Sequence, residues 1–221
     1  MIMCMCKVIC VTSRHLAGEP FFSQLEKVAS AGVSAVILRE KDLDGKDYEK
    51  MARTAGEICG KAGIPLYLHS YAKAAERLSI RRIHMSLPGF LSMTEQEREW
   101  FREIGVSVHS AKEALQAEEA GASYVTAGHV FRTDCKKDLE PRGLSFLEEV
   151  CKAVRIPVYA IGGINPENAQ SCLDVGAAGI CLMSSLMQAE NPKKLLDAVR
   201  ISERDNHSQQ AQISRDRNSG T

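Results

Sequence analysis

A segment after a short apolar stretch carries the residue types best suited to proton transfer and anion binding. Residues 123–127 are mostly apolar and end at Gly128, which predicts a short buried strand followed by a loop. An imidazole exchanges protons near neutral pH because its unperturbed pKa is about 6.5. A solvated basic loop is the alternative explanation for the charges alone. The residues in question include a histidine, a hydroxyl and three of the segment's cations: His129, Thr133, Lys136, Lys137 and Arg142.

Polar residues also follow other predicted strands. Each histidine taken alone is compatible with a structural role, but several at successive strand ends favour a binding site. Zinc would require histidine pairs at helical spacing or nearby carboxylates, and few acids occur at these positions, so no metal is predicted. The residues in question are Arg39 and Lys41, His69, His84, and Ser107 with His109.

Glycine and serine pairs flank the last two predicted strands. Gly162 and Gly163 follow the seventh strand, and Ser184 and Ser185 follow the eighth. Glycine lets backbone N–H groups approach an anion, and a following helix N-terminus adds a favourable partial charge. The alternative is a tight turn that needs glycine for its conformation alone. Because the two pairs lie on adjacent strands, the pattern favours a phosphate site.

One unit recurs along the chain: a strand, a polar loop, a capped helix and a glycine. Eight strands and eight helices predict a (β/α)8 TIM barrel, with an open doubly wound sheet as the alternative. Residues 1–202 are predicted to form a single barrel domain, and the polar residues 203–221 a disordered tail. In such a barrel the loops that follow the strands meet at one end, so the polar residues above should converge.

Composition narrows the function classes. The 221 residues carry 28 basic and 28 acidic side chains, which gives no electrostatic case for nucleic acid or a membrane surface. No apolar run has the length of a membrane span, and the N-terminal stretch does not resemble a signal peptide. The eight cysteines contain no C-x-x-C pair and are predicted to be small core residues. Disulfide and metal-binding roles are the alternatives, and a cytoplasmic protein is expected.

Five motifs resemble the thiamine phosphate synthase superfamily, and they span nearly the whole chain before the tail. They are L-R-E-K at 38–41, G-V-S-V-H-S at 105–110, G-H-V-F-R-T-D-C-K at 128–136, A-I-G-G-I at 160–164 and G-I-C-L-M-S-S at 179–185. The synthases of that superfamily bind a pyrimidine diphosphate through magnesium, with Asn-Asp after the third strand and an Asp after the fourth. Here His69 and Ser70 occupy the first place, and no acid occurs within residues 85–89.

The strand-six motif resembles instead the thiazole tautomerase, or TenI-like, branch. That resemblance implies a metal-free, cofactor-free isomerase with His129 as its acid and base. It would convert a 2-carboxy-4-methylthiazole ethyl phosphate tautomer to the aromatic form, and a homodimer is implied. The phosphate is assigned to Gly162, Gly163, Ser184 and Ser185, anionic groups to Arg39, Lys41 and Lys136, and the pocket wall to Ser107, His109 and Thr133. The alternatives are a thiamine phosphate synthase, joining hydroxymethylpyrimidine diphosphate to thiazole phosphate, and a non-catalytic phosphate-binding regulator.

Overall fold

Eight parallel strands form a closed barrel in the computed structural model, which describes residues 6–18, 20–134 and 139–200. The strands pair in sequence order, and β1 pairs with β8, which closes the sheet. The predicted barrel is therefore confirmed, and the open sheet is excluded. The strands are β1 (Lys7–Val11), β2 (Ala35–Leu38), β3 (Leu66–His69), β4 (Arg82–Ser86), β5 (Glu103–Val108), β6 (Tyr124–Gly128), β7 (Val158–Ile161) and β8 (Gly179–Leu182).

The strands are apolar because both of their faces are covered. On β1, Val8 and Cys10 belong to the large core between barrel and helices, whereas Ile9 and Val11 belong to a smaller cluster. Since successive side chains point to opposite faces of a strand, the smaller cluster is the barrel interior. It also contains Ala35, Ile37, Tyr67, Tyr124, Tyr159 and Cys181.

Helices cover the outside of the barrel, and several begin at predicted caps. The Asp44 side chain accepts hydrogen bonds from two backbone N–H groups of the following helix, and Thr94 and Glu97 form a capping box. The helices are α1 (Phe21–Ser30), α2 (Gly45–Lys61), α3 (Ala72–Arg77), α4 (Leu87–Leu91), α5 (Glu95–Trp100), α6 (Ala111–Glu119), α7 (Gly143–Ala153), α8 (Ala169–Asp174), α9 (Ser184–Met187) and α10 (192–200).

Two local features differ from the sequence-based expectation. The short helix α4 is not among the eight helices predicted from the sequence. The Asn165–Pro166 pair is typical of a helix start, yet α8 begins at Ala169, because the Asn165 side chain accepts from Glu167 N and Asn168 N and forms a turn first. That turn lies between the glycine pair at 162–163 and the helix.

Some sequence-based predictions fall outside the described residues. These are the tail at 203–221 and the anion-binding role of Lys136. The six cysteines that are described are free thiols, and five of them are buried, as expected for core residues. Among the described helices, none is both long and apolar enough to cross a membrane.

Candidate active site

A cavity of about 280 Å³ lies at the end of the barrel where the strands terminate. This is the end at which the sequence predicted a site, and the loops converge there as expected. All predicted site residues that the structure describes line this cavity: Arg39, Lys41, Ser107, His109, His129, Thr133, Gly162, Gly163, Ser184 and Ser185. The structure thus brings them together, while the role of each stays a prediction.

His129 is held on several sides. Its side chain is buried, and its Nε2 lies 3.2 Å from the carbonyl oxygen of Leu139. Because a carbonyl oxygen only accepts, Nε2 of His129 is the donor in this contact. The backbone oxygen of His129 accepts from Arg142 N at 3.0 Å. The residue therefore connects the two ends of the loop at 129–142 as well as lining the cavity.

The glycine pair after β7 has a structural explanation that does not involve phosphate. Gly162 and Gly163 both have positive φ, at 103° and 66°. A Cβ at position 162 would lie 2.3 Å from the Cβ of His129, and one at position 163 would lie 2.3 Å from the oxygen of Arg132. Conformation and close packing therefore require glycine at both positions. The case for a phosphate site depends more on Ser184 and Ser185, which begin α9 in the cavity wall.

Positive charge surrounds one wall of the cavity. Arg39 and Lys41 follow β2, and His69 ends β3 beside them. Burial lowers the pKa of His69 to about 4, and the charges of Arg39 and Lys41 contribute to that lowering. The His69 imidazole is therefore neutral at neutral pH. The permanent positive charges beside it are those of Arg39 and Lys41. This arrangement favours an anionic ligand.

A buried polar network forms the floor and was not predicted as a unit. Nε2 of His84 lies 2.8 Å from Oγ of Ser107, and Nδ1 lies 3.1 Å from the hydroxyl oxygen of Tyr124. Thr126 donates its hydroxyl to Ser107 at 3.2 Å. Ser107 and Thr126 line the cavity, and His84 lies beneath them. The sequence signal that was missed is polar Thr126 inside an otherwise apolar strand.

The donor set of the cavity does not fit a magnesium ion. Hard cations take oxygen ligands, preferably anionic ones, yet no Asp or Glu is among the described residues of the cavity wall. Ser70 is hydrogen-bonded to Nδ1 of His69, and the Ser86 hydroxyl caps α4. Within the described ranges, no group of three His, Cys, Asp or Glu is arranged to hold a metal.

Comparison with known proteins identifies the family. The sequence model described as thiamine monophosphate synthase matches residues 8–186, which is most of the chain and includes all eight strands except the first residue of β1. The chain belongs to this family. The predicted superfamily is therefore confirmed, and the chain is an enzyme of thiamine biosynthesis.

Individual relatives of the thiamine monophosphate synthase family cover most of the chain. The thiamine-phosphate synthase of Clostridium novyi is 34% identical over 84% of this chain and 92% of its own length. That of Methanobrevibacter smithii is 34% identical over 83% of this chain and 88% of its own. The solved structure of thiamine phosphate pyrophosphorylase from Pyrococcus furiosus has a TM-score of 0.77, with 27% identity, covering 90% of this chain and 96% of that one.

These relatives correct the predicted activity. The thiazole tautomerase prediction is wrong, because the relatives at 32–34% identity are thiamine-phosphate synthases and match the alternative better. That prediction rested on the missing acids after the third and fourth strands and on the resemblance of the His129 motif to the tautomerase branch. In the structure Nε2 of His129 is hydrogen-bonded to the Leu139 carbonyl oxygen. The Cβ of His129 packs directly against Gly162, where an added Cβ would lie 2.3 Å from it. A histidine at this position is therefore explained by loop packing as well as by proton transfer.

Proposed function

We propose that the protein is a thiamine-phosphate synthase, a transferase that joins hydroxymethylpyrimidine diphosphate to thiazole phosphate. In this reaction the pyrimidine's methylene carbon forms a bond to the thiazole nitrogen, and pyrophosphate leaves with the electron pair of the broken C–O bond. The observation that carries the proposal is the cavity at the strand ends, whose wall combines cations with hydroxyl donors. Family membership supports the choice of substrates.

Arg39 and Lys41 take the negative charge of the diphosphate in this proposal. Both line the cavity. Charged hydrogen bonds of this kind are worth about 1.5–3 kcal/mol each. Ser184 and Ser185 bind the thiazole phosphate as hydroxyl donors, and Ser107 lines the same cavity.

The test is direct synthesis of product. Purified protein is incubated with hydroxymethylpyrimidine diphosphate and thiazole phosphate, and both thiamine phosphate and pyrophosphate are quantified. We expect the two products in equal amounts. The matched variants are Arg39→Gln, which should lose most activity, and Arg53→Gln, which removes an exposed arginine of α2 that lies 3.8 Å from Glu49.

Metal dependence is measured in the same assay. Because the donor set does not fit magnesium, we expect a chelator to leave turnover unchanged. A strict requirement for added magnesium would contradict the role given to Arg39 and Lys41. Binding of both substrates without any product would contradict the synthase proposal and favour the non-catalytic regulator. A homodimer and a cytoplasmic location also stay predictions, and sedimentation and fractionation of the native cells test them.

A further inference from the structure

Three residues occupy one lateral row across the inside of the barrel. His84 on β4 is in register with Gly105 on β5, and Gly105 is in register with Tyr124 on β6. Because Gly105 has no side chain, the Tyr124 ring lies across β5, and its hydroxyl reaches Nδ1 of His84 at 3.1 Å. Ser107 lies two residues beyond Gly105 on the same face, one layer nearer the cavity. The contact between His84 Nε2 and Ser107 Oγ at 2.8 Å joins the two layers.

The hydrogen bonds determine where each proton lies. Tyr124 is buried, and among the described residues its hydroxyl has one hydrogen-bond partner, Nδ1 of His84. A buried phenol donates its proton to such a partner, so Nδ1 accepts. A neutral imidazole then carries its single proton on Nε2 and donates it to Ser107. Burial, with smaller contributions from His69 and Arg39, lowers the pKa of His84 to about 3, which keeps the ring neutral.

The Ser107 hydroxyl accepts two hydrogen bonds and still has its own proton to donate. Its oxygen accepts from Nε2 of His84 at 2.8 Å and from the hydroxyl of Thr126 at 3.2 Å, while Thr126 Oγ1 is the more distant neighbour of Nε2, at 3.4 Å. A hydroxyl oxygen has two acceptor sites, so both are filled. The Ser107 O–H is therefore the group that this network leaves for a ligand in the cavity that Ser107 lines.

We propose that His84 is a positioning residue that presents the Ser107 hydroxyl to the substrate as a hydrogen-bond donor. The recognised group is an uncharged or anionic acceptor, such as a ring nitrogen or a phosphate oxygen. The Tyr124 hydroxyl fixes the tautomer of His84. The absence of a side chain at Gly105 leaves the space that the Tyr124 ring occupies. The proposal rests on the proposed function only in taking the cavity as the substrate site.

The first experiment measures the tautomer without any activity assay. Histidine side-chain 15N NMR distinguishes a protonated Nε2 from a protonated Nδ1. We expect His84 to be protonated at Nε2 in the unaltered protein, and to shift toward Nδ1 in Tyr124→Phe. Tyr159→Phe is the control, because Tyr159 belongs to the same interior cluster, 5.5 Å from Tyr124 between ring centroids, and has no described hydrogen bond to His84. A His84 protonated at Nδ1 in the unaltered protein would overturn the proposal.

The second experiment is a double-mutant cycle on binding and turnover. Ser107→Ala and Tyr124→Phe should each weaken thiazole phosphate affinity or raise KM by about tenfold, with a smaller change in kcat. The double variant should be no worse than Ser107→Ala alone, because both changes remove the same donor. If the losses in the two single variants multiply in the double variant, Tyr124 and Ser107 act independently and the role of Tyr124 is merely structural. An equal loss of affinity in Tyr159→Phe would lead to the same conclusion. If no synthase activity exists, calorimetric affinity and the tautomer still decide this proposal, so the two failures are distinguishable.

Discussion

The ring of Tyr124 occupies the space beside Gly105 on the inner face of the barrel. A Cβ added to Gly105 would lie 2.1 Å from Cζ of Tyr124 and 2.4 Å from its hydroxyl oxygen. Neither distance is possible between non-bonded atoms. The absence of one side chain on β5 therefore determines the position of an aromatic side chain on β6, and with it the hydrogen bond to His84.

Gly105→Ala should lower the free energy of unfolding by about 1–3 kcal/mol, the usual cost of overpacking a core. The new methyl group forces the Tyr124 ring to move, since the neighbouring strand cannot. Urea unfolding measures the change. Gly60→Ala is the control, because Gly60 lies in α2 and a Cβ added there would meet no atom within 4 Å. That change should raise stability by about 0.5–1 kcal/mol. Equal effects at both positions would contradict the packing argument.

Mild acid should destabilise the fold through two buried histidines. The pKa of His69 is lowered to about 4 and that of His84 to about 3, mainly by burial in both cases. The unfolded chain binds these two protons near pH 6.5, whereas the folded protein does not. Below about pH 6.5 the unfolded state therefore gains protons, and stability falls by up to about 1.4 kcal/mol per pH unit per histidine.

Urea unfolding between about pH 7 and pH 5 isolates these histidines. The carboxyl groups with lowered pKa values, such as Asp42 beside Arg14, lose their contribution only at lower pH. His69→Gln should reduce the number of protons taken up on unfolding by up to one, and the slope of stability against pH should fall accordingly. A stability that is constant from about pH 7 to pH 5 would show that both imidazoles are protonated, or accessible to protons, in the folded state.

The sequence predicted the barrel because its parallel strands are apolar on both faces and end in polar loops. This pattern depends only on residues that are close in sequence, so it can be recognised without knowledge of the tertiary structure. The convergence of Arg39, Ser107 and Ser184 at one end follows from the topology alone. These parts of the fold and of the cavity wall were therefore within reach of sequence reasoning.

The network beneath the cavity was not predictable in the same way. It depends on the lateral register that aligns His84 with Gly105 and Tyr124, and register is fixed by strand pairing around the whole barrel. Gly105 lies inside β5, and a glycine inside a strand marks a close approach, but the sequence pattern predicted that strand only from Val106 onward. Likewise, the motif at 128–136 could not show that Nε2 of His129 is bonded to the Leu139 carbonyl.

Ser184→Ala and Ser185→Ala should each weaken binding of thiazole phosphate by about tenfold, because each removes a hydroxyl donor to an anion. The glycines at 162 and 163 are unsuitable for this test, since their positive φ makes any substitution disruptive. Ser92→Ala is the matched control: its hydroxyl is exposed and donates to Gly89 O. Calorimetry on the three variants decides the matter. Unchanged affinity in both α9 variants would place the phosphate elsewhere in the cavity.

Arg39→Gln should raise KM for hydroxymethylpyrimidine diphosphate by at least about tenfold, because a charged hydrogen bond to an anion is lost. The dependence of KM on salt should also weaken, since one interacting charge is removed. Arg39 also lowers the pKa of His69, so its removal should move the pKa of His69 upward. An NMR titration of His69 measures this effect without substrate, and Arg53→Gln serves as the control for both readouts. A raised KM with an unmoved His69 would mean that Arg39 acts on the ligand from outside the cavity wall. An unchanged KM with a shifted His69 would show that Arg39 faces the cavity but that another cation, such as Lys41, binds the diphosphate.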